Sequence, residues 1–278
     1  MTRFVNNVKT AALLGGLFAL LVFVGSFWGP RGMIIAGVFA VVMNFGAWFA
    51  SDRIAIAAMR GQEVNESTGG ELYAMVKRLA RRAELPMPRV YVCPQAAPNA
   101  FATGRNPKHA AVAVTQGALQ LLDHSELEGV MAHELAHVKN RDTLTSTIAA
   151  TVAGLFSMMA QFGLFMGLGG RGDRGGNPLL MIGVVLLGAV GAAVIKAMIS
   201  RSREFVADAD GAAIAGTPNG LVSALRKLEA TAKRVPLQNP NPAMNNMFIV
   251  EPFIGKTLTN MFRSHPPTEE RVEALLRG

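Results

Sequence analysis

His133-Glu134-Leu135-Ala136-His137 decides the reading of this chain. Two imidazoles four positions apart fall on one face of a helix, one turn from each other, at a separation that a single Zn2+ bridges. The glutamate beside the first histidine is placed as a general base. The flanking residues favour a helix: Ser125 is expected as its N-cap with Glu128 at the capping-box position, and Leu127, Val130, Met131, Leu135 and Val138 supply apolar contacts. The plain alternative, a core helix that carries the pattern by chance, would bury two histidines and a glutamate with nothing to offset their desolvation. Zinc offsets it, and needs at least one more protein ligand if a fourth position is to stay open for water.

The chain has only five histidines: His109, His124, His133, His137 and His265. The other source of a third ligand is a carboxylate on a second helix. The alanine-rich stretch around Ser202-Arg203-Glu204-Phe205-Val206-Ala207-Asp208 predicts a helix from about Ile199 to Ala215, stopped by Gly216, Thr217 and Pro218. Glu204 and Asp208 share a face of it. Glu204 is the expected third ligand, and Asp208 is expected to accept the free ring N–H of a ligating histidine. Without the upstream motif the same helix would read as a surface helix with solvated acids.

Hydrophobic residues make up 50% of the 278 and charged residues 17%, with mean hydropathy +0.30. That balance points away from an ordinary soluble domain. Four runs carry no charge: 10–30, 32–51, 143–170 and 175–195. Each is long enough to span a bilayer, so four transmembrane helices are expected, the last two as a hydrophobic hairpin that spans or lies on the membrane. The first run is long for a signal peptide and has no small-residue exit, so it is expected to stay as an anchor. With both termini on one side, nine basic residues near the span ends face three on the other, which favours a metal site in the cytoplasm. The single cysteine, Cys93, forbids an internal disulfide and fits a reducing compartment. The net charge of +8 invites a nucleic-acid partner, yet segment 52–142 holds eleven basic against ten acidic residues, and 196–278 eleven against eight. There is no basic stripe interleaved with aromatics; the surplus suits anionic lipid, and no nucleic acid is expected.

Between the spans, Glu71–Glu84 predicts an amphipathic helix with Leu72, Met75, Val76 and Leu79 inward and a basic outer face. Arg89–Cys93 and His109–Thr115 read as strands, with Asn99–Gly104 leading through a turn into the second. A small sheet beside the zinc helix would offer an edge along which an extended peptide pairs its backbone. Gly220–Arg234 and Thr268–Leu276 read as further helices. His265 is stiffened by Pro266 and Pro267, which suits a residue that must point somewhere.

In this order, the N-terminal runs, Asn99-Ala100-Phe101-Ala102-Thr103-Gly104, His133-Glu134-Leu135-Ala136-His137, Ser202–Asp208 and Ser264-His265-Pro266-Pro267 resemble the HtpX family of membrane-bound bacterial zinc endopeptidases nearly end to end. The resemblance implies one Zn2+ on His133, His137 and Glu204, with Glu134 as catalytic base. It also implies a role in cutting misfolded or misassembled membrane proteins at the bacterial inner membrane, as part of stress response and quality control. His265 is the candidate donor to the oxyanion, with a structural, turn-capping histidine as the alternative. Asn140, on the histidine face two turns beyond His133, is expected to support the site. Prenyl-protein endopeptidases share the same elements but carry more spans, and a scaffold with a purely structural zinc is the other rival. The expected architecture is thus α+β: a mainly helical zincin-like metallopeptidase domain with a small β-sheet, attached to four transmembrane helices. Residues 1–51 form two spans, 52–142 the first half of the peptidase domain, 143–199 the hairpin and 200–278 the second half.

Overall fold

Period-two alternation builds the centre of the molecule. In strand β4 (Ala110–Thr115) every side chain is buried. Val112 and Val114 share one face with Val90 of β2 (Arg89–Cys93) and Ala100 of β3 (Ala100–Gly104), while Ala111 and Ala113 share the other with Tyr91, Cys93 and Phe101. With β1 (Gln62–Val64) they form a four-stranded sheet in the order β1-β2-β4-β3. β2 and β4 are parallel, and β1 and β3 pair antiparallel at the edges. The structure, a computed structural model, describes residues 2–26, 29–143, 201–232 and 266–277.

Helices cover both faces of the sheet. The valine face packs on α3 (Gly70–Arg82) and α5 (His124–Asn140), and the opposite face takes Ala55 and Ile56 from the end of α2 (Gly29–Ala58) and Met59 just past it. Leu72, Met75, Val76 and Leu79 of α3 are buried as its periodicity predicts. A 3-10 turn, Pro107–His109, leads into β4, and the short α4 (Gln116–Leu121) leads toward α5. The other described helices are α1 (Thr2–Ser26), α6 (Arg201–Ala215), α7 (Asn219–Ala232) and α8 (Thr268–Arg277).

The expected four spans and multi-pass arrangement are corrected. Among the described residues, one helix is long and apolar enough to cross a bilayer, Gly29–Ala50, and it runs inside α2. In α1 only Leu14–Phe23 is apolar; ten residues rise about 15 Å, half a hydrocarbon core. Arg3 and Lys9 fall inside α1, so its uncharged part starts only at Thr10. The runs 143–170 and 175–195 lie outside the described residues. The orientation argument, which depended on an even number of spans, goes with the count.

The start of α5 also differs from the expected one. Asp123 is the N-cap: its carboxylate accepts from the Glu126 N–H at 2.9 Å, and Glu126 returns the favour by accepting from the Asp123 N–H at 2.9 Å. Ser125 instead donates to Asp123 at 2.8 Å, and Glu128 is used elsewhere, pairing with Arg78 at 3.1 Å. Glu126 further binds Lys227 at 2.6 Å and Ser223 at 2.7 Å, which fastens α7 to the same cap. The helix closes at Arg141, whose φ of 59° turns the chain back so that Asp142 follows at once.

α5 is gripped by α6 and α7 at glycines. A Cβ on Gly211 of α6 would stand 2.8 Å from the His133 Cα, and one on Gly129 of α5 would overlap the backbone of Gly220 and Leu221 in α7. The absence of a side chain lets α6 lie against the zinc-motif helix at backbone contact. Gly211→Ala is expected to force the two helices apart and lower stability by about 1–3 kcal/mol, read as a fall in melting temperature; an unchanged melt would show that the helices do not meet here. Cys93 is fully buried under the end of α2, and that burial pushes its thiol up to about 11. The thiolate is the reactive form, so at pH 8 alkylation in the folded protein should run at least about 100-fold slower than for a free thiol, recovering in denaturant. Free-thiol rates in the folded state would mean that α2 does not cover the sheet.

Candidate metal centre

Helix α5 presents His133, Glu134 and His137, and α6 lays Glu204 and Asp208 across them. His133 Nε2 is 3.1 Å from His137 Nε2 and 3.8 Å from Glu204 Oε2, and His137 Nε2 is 3.7 Å from Glu204 Oε1. One ligand atom from each of the three lies within 4.8 Å of the others. Around a tetrahedral zinc with bonds of about 2.0–2.1 Å, neighbouring ligand atoms stand about 3.3 Å apart; the two imidazoles are near that spacing, and the Glu204 carboxylate has to close in by roughly half an ångström or more.

The outer nitrogens explain why the inner ones converge. His133 Nδ1 lies 2.9 Å from Asp208 Oδ1, and His137 Nδ1 lies 3.2 Å from Asp142 Oδ2. A carboxylate at Nδ1 keeps the proton there and leaves the Nε2 lone pair facing inward. Two lone pairs and a carboxylate turned on one point repel each other unless a proton or a metal cation sits between them. The donor set therefore fits Zn2+, with His133, His137 and Glu204 as the residues able to hold it.

Burial sharpens the electrostatics, since His133, Glu134, Glu204 and Asp208 are all nearly inaccessible. Burial raises the Glu134 carboxyl above the usual range, with Glu204 adding to it, while His133, His137 and the Ala102 N–H pull the other way. For His137, burial opposes the charged form, but the Asp142 hydrogen bond and the nearby Glu204 and Glu134 outweigh it and lift the imidazole to about 9. Carboxylates that stabilise a proton on this ring stabilise a metal cation at its Nε2. Asp208 is pushed up by burial and pulled down further by hydrogen bonds from Arg271 and His133, and so is held at about 2.

The hydrogen bond from the Ala102 N–H brings β3 to Glu134. Asn99 O accepts from Thr115 N at 2.9 Å, so the alternating antiparallel pattern turns the amides of Ala100, Ala102 and Gly104 away from β4. Gly104 O accepts from Thr143 Oγ1 at 3.0 Å on that free edge. Edge strand β3 thus borders Glu134, although the sequence shows it only as a lead-in to β4.

The structure brings His133, Glu134, His137, Glu204 and Asp208 together. Asn140 donates to Asp210 at 2.7 Å and so pins the end of α5 to α6. His265 lies outside the described residues. Sequence reasoning missed Asp142, Arg203 and Arg271. Arg271 of α8 reaches Asp208 through Nε at 2.8 Å and Nη2 at 2.6 Å, and Arg203 Nη1 stands 3.8 Å from Asp142. Asp142 was findable in principle, five residues past His137 and just beyond the helix end; Arg271, 63 residues from Asp208, had no local signal.

Residues 66–277 match peptidase family M48. A "Protease HtpX homolog" of Nostoc punctiforme is 51% identical over 98% of this chain and 96% of its own length. Those of Burkholderia ambifaria and Desulforapulum autotrophicum are 49% and 48% identical over 98% of this chain, covering 96% and 90% of their own. The crystal structure of S. mikatae Ste24p superposes with a TM-score of 0.52 at 19% identity; 98% of this chain is covered, and it spans 65% of that one. That likeness speaks for the fold alone. The family match, the close relatives and the buried His133, His137 and Glu204 triad together make this chain a member of peptidase family M48 and a zinc metalloendopeptidase.

Proposed function

We propose that the chain cuts extended segments of membrane proteins at a zinc centre formed by His133, His137 and Glu204, with Glu134 as the general base. One observation carries this reading: a buried glutamate sits beside the metal triad and touches the free edge of β3 through the Ala102 N–H. A bound zinc would polarise the scissile carbonyl and acidify a water at the open fourth position. Glu134, its proton affinity raised by burial, takes the proton of that water and passes it to the leaving amine. Asp208 and Asp142 hold the two imidazoles in the tautomer that keeps Nε2 free. The outward N–H of Ala100 and the outward carbonyls of Ala100 and Ala102 pair with the backbone of the substrate, which reads main chain more than side chains and gives broad sequence preference. His265 is proposed on its sequence context as the donor to the oxyanion.

Residues 52–142 and 200–278 act as two halves of one catalytic domain, the first supplying the histidines and the second Glu204 and Asp208. The apolar stretch Gly29–Ala50 of α2 enters the bilayer, and its exposed Ile34, Ile35, Val38, Val42 and Phe45 suit lipid contact. Arg105, just past β3, donates to Phe49 O at 3.5 Å and lies 5.2 Å from the Phe49 ring, which sets the end of β3 beside the end of that stretch. Substrates held in a membrane would meet the site there. A structural zinc would be closed by four protein ligands, whereas three converge among the described residues.

Glu134→Gln is expected to cut hydrolysis of an unfolded protein substrate by roughly 10²- to 10⁴-fold while keeping one zinc per chain. Glu204→Gln should lose metal and activity together. Elemental analysis beside a peptidase assay decides: full turnover in metal-replete Glu134→Gln, or loss of its zinc, rejects the base assignment, and undiminished zinc in Glu204→Gln moves the third ligand elsewhere. His265→Ala should lower kcat by roughly 10²-fold or more with zinc retained; an unchanged kcat leaves His265 a structural residue.

A further inference from the structure

Two chains of side chains converge on the metal triad, each running from imidazole to carboxylate to guanidinium. One is His133, Asp208 and Arg271; the other is His137, Asp142 and Arg203. They are not equivalent. Arg203 Nη1 stands 3.8 Å from Asp142, whereas Arg271 closes on both oxygens of Asp208, Nε to Oδ2 at 2.8 Å and Nη2 to Oδ1 at 2.6 Å. Its Nη2 also lies 3.9 Å from Glu204 Oε2. Arg271 is 1% exposed, and it comes from the last helix of the chain, where Val272 and Leu275 already supply buried apolar contacts. A buried guanidinium is an expensive way to dock a helix that apolar side chains could hold, because replacing buried ion pairs by well-packed apolar residues is often neutral or stabilising. Its position in the molecule suggests a different use.

We propose that Arg271 is a positioning residue for the metal centre: its planar fork fixes the rotamer of Asp208, which fixes the His133 ring with Nε2 aimed at the metal. The proposal rests on the zinc reading above. The geometry needs arginine. Oδ1 of Asp208 accepts from Arg271 Nη2 while lying 2.9 Å from His133 Nδ1, so the guanidinium locks the same oxygen that orients the ring. Lysine offers a point charge and no fork, so it could neutralise Asp208 but not set its plane. The centre is therefore completed by the C-terminal helix, whose docking brings the guanidinium beneath a ligand it does not touch. A plain ion pair that pins α8 to α6 would instead govern stability and leave the metal indifferent.

The test uses the full chain in detergent, with Zn2+ affinity measured by competition against a chelating dye and with the visible spectrum of the Co2+-loaded protein. Arg271→Lys is expected to weaken Zn2+ binding roughly 10- to 100-fold, the range for partners that orient a ligand, and to shift the Co2+ bands while the melting temperature changes little. Because Arg271 acts through Asp208, adding Arg271→Lys to Asp208→Asn should weaken binding less than about twofold further. Zinc affinity within twofold of the parent together with an unchanged Co2+ spectrum overturns the proposal, as do losses that multiply in the double variant. An Arg271→Lys chain that is unfolded where the parent is folded overturns it too, by placing Arg271 in the fold rather than the site. A parent that takes up no Zn2+ defeats the zinc reading itself, and that result is read on the parent alone.

Discussion

Carboxylates buried without water have to be matched by cations, and the architecture around α5 follows from that requirement. Glu134, Glu204, Asp208 and Asp142 are each no more than 6% exposed. An unpaired carboxylate in such surroundings either takes a proton or destabilises the fold by several kcal/mol. Asp208 and Asp142 have arginines and imidazoles around them, whereas Glu134 has the imidazoles and a backbone N–H, and its proton affinity rises. That difference divides the acids by role. The two aspartates remain acceptors that steer rings, and Glu134 is left able to accept a proton and release it.

Bringing so many charges together requires helices at backbone contact, which is where Gly211 enters. A side chain at that position would hold α6 away from His133, and Glu204 would lose its approach to both imidazoles. The capping box of α5 works from the other end: Glu126 satisfies the helix start and binds Lys227 and Ser223 of α7 through the same carboxylate. The helix that carries both histidines is thus fixed at its start by α7 and near its end by Asn140 on Asp210. A metal site tolerates little movement of its ligands, and these ties are what a rigid one needs.

Features whose geometry follows from local spacing were legible in the sequence. A four-residue interval on a helix places His133 beside His137, and Glu204 beside Asp208, whatever surrounds them; the apolar period of α3 likewise named its buried face. β3 was not legible as a strand, because five residues between Asn99 and Arg105, ending in glycine, carry little strand signal until β4 is there to pair with them. The capping box was displaced by two residues, since Ser125 and Asp123 are both good caps and only the partners of Glu126 and Glu128 decide between them. Arg271 sits in a stretch that reads as an ordinary amphipathic helix, and its burial is a property of what α6 offers it. The span count rested on runs without charge, and among the described residues one stretch, Gly29–Ala50, is both long and apolar enough, while α1 opens on Arg3 and Lys9.

The sheet links these local solutions to the helix that leaves the domain. Its β3 edge touches Glu134 through Ala102, and its opposite face is covered by Ala55 and Ile56 at the end of α2 and by Met59 just past it. Asp52, itself buried, pairs with Arg89 of β2, and Arg105 past β3 rests on Phe49. Three separate contacts thus fasten α2 to the strands, so its apolar stretch continues into the catalytic fold without a flexible linker. With that stretch in a bilayer, the height of the β3 edge above the lipid is set by packing. A chain tethered by a loose linker would sample substrates throughout the solution, whereas an edge held at a set height above lipid would meet only segments within reach of the membrane surface. On the proposed function, broad backbone recognition at the edge strand would then be compatible with selective cutting, because position relative to the bilayer would do the selecting that side-chain pockets do elsewhere.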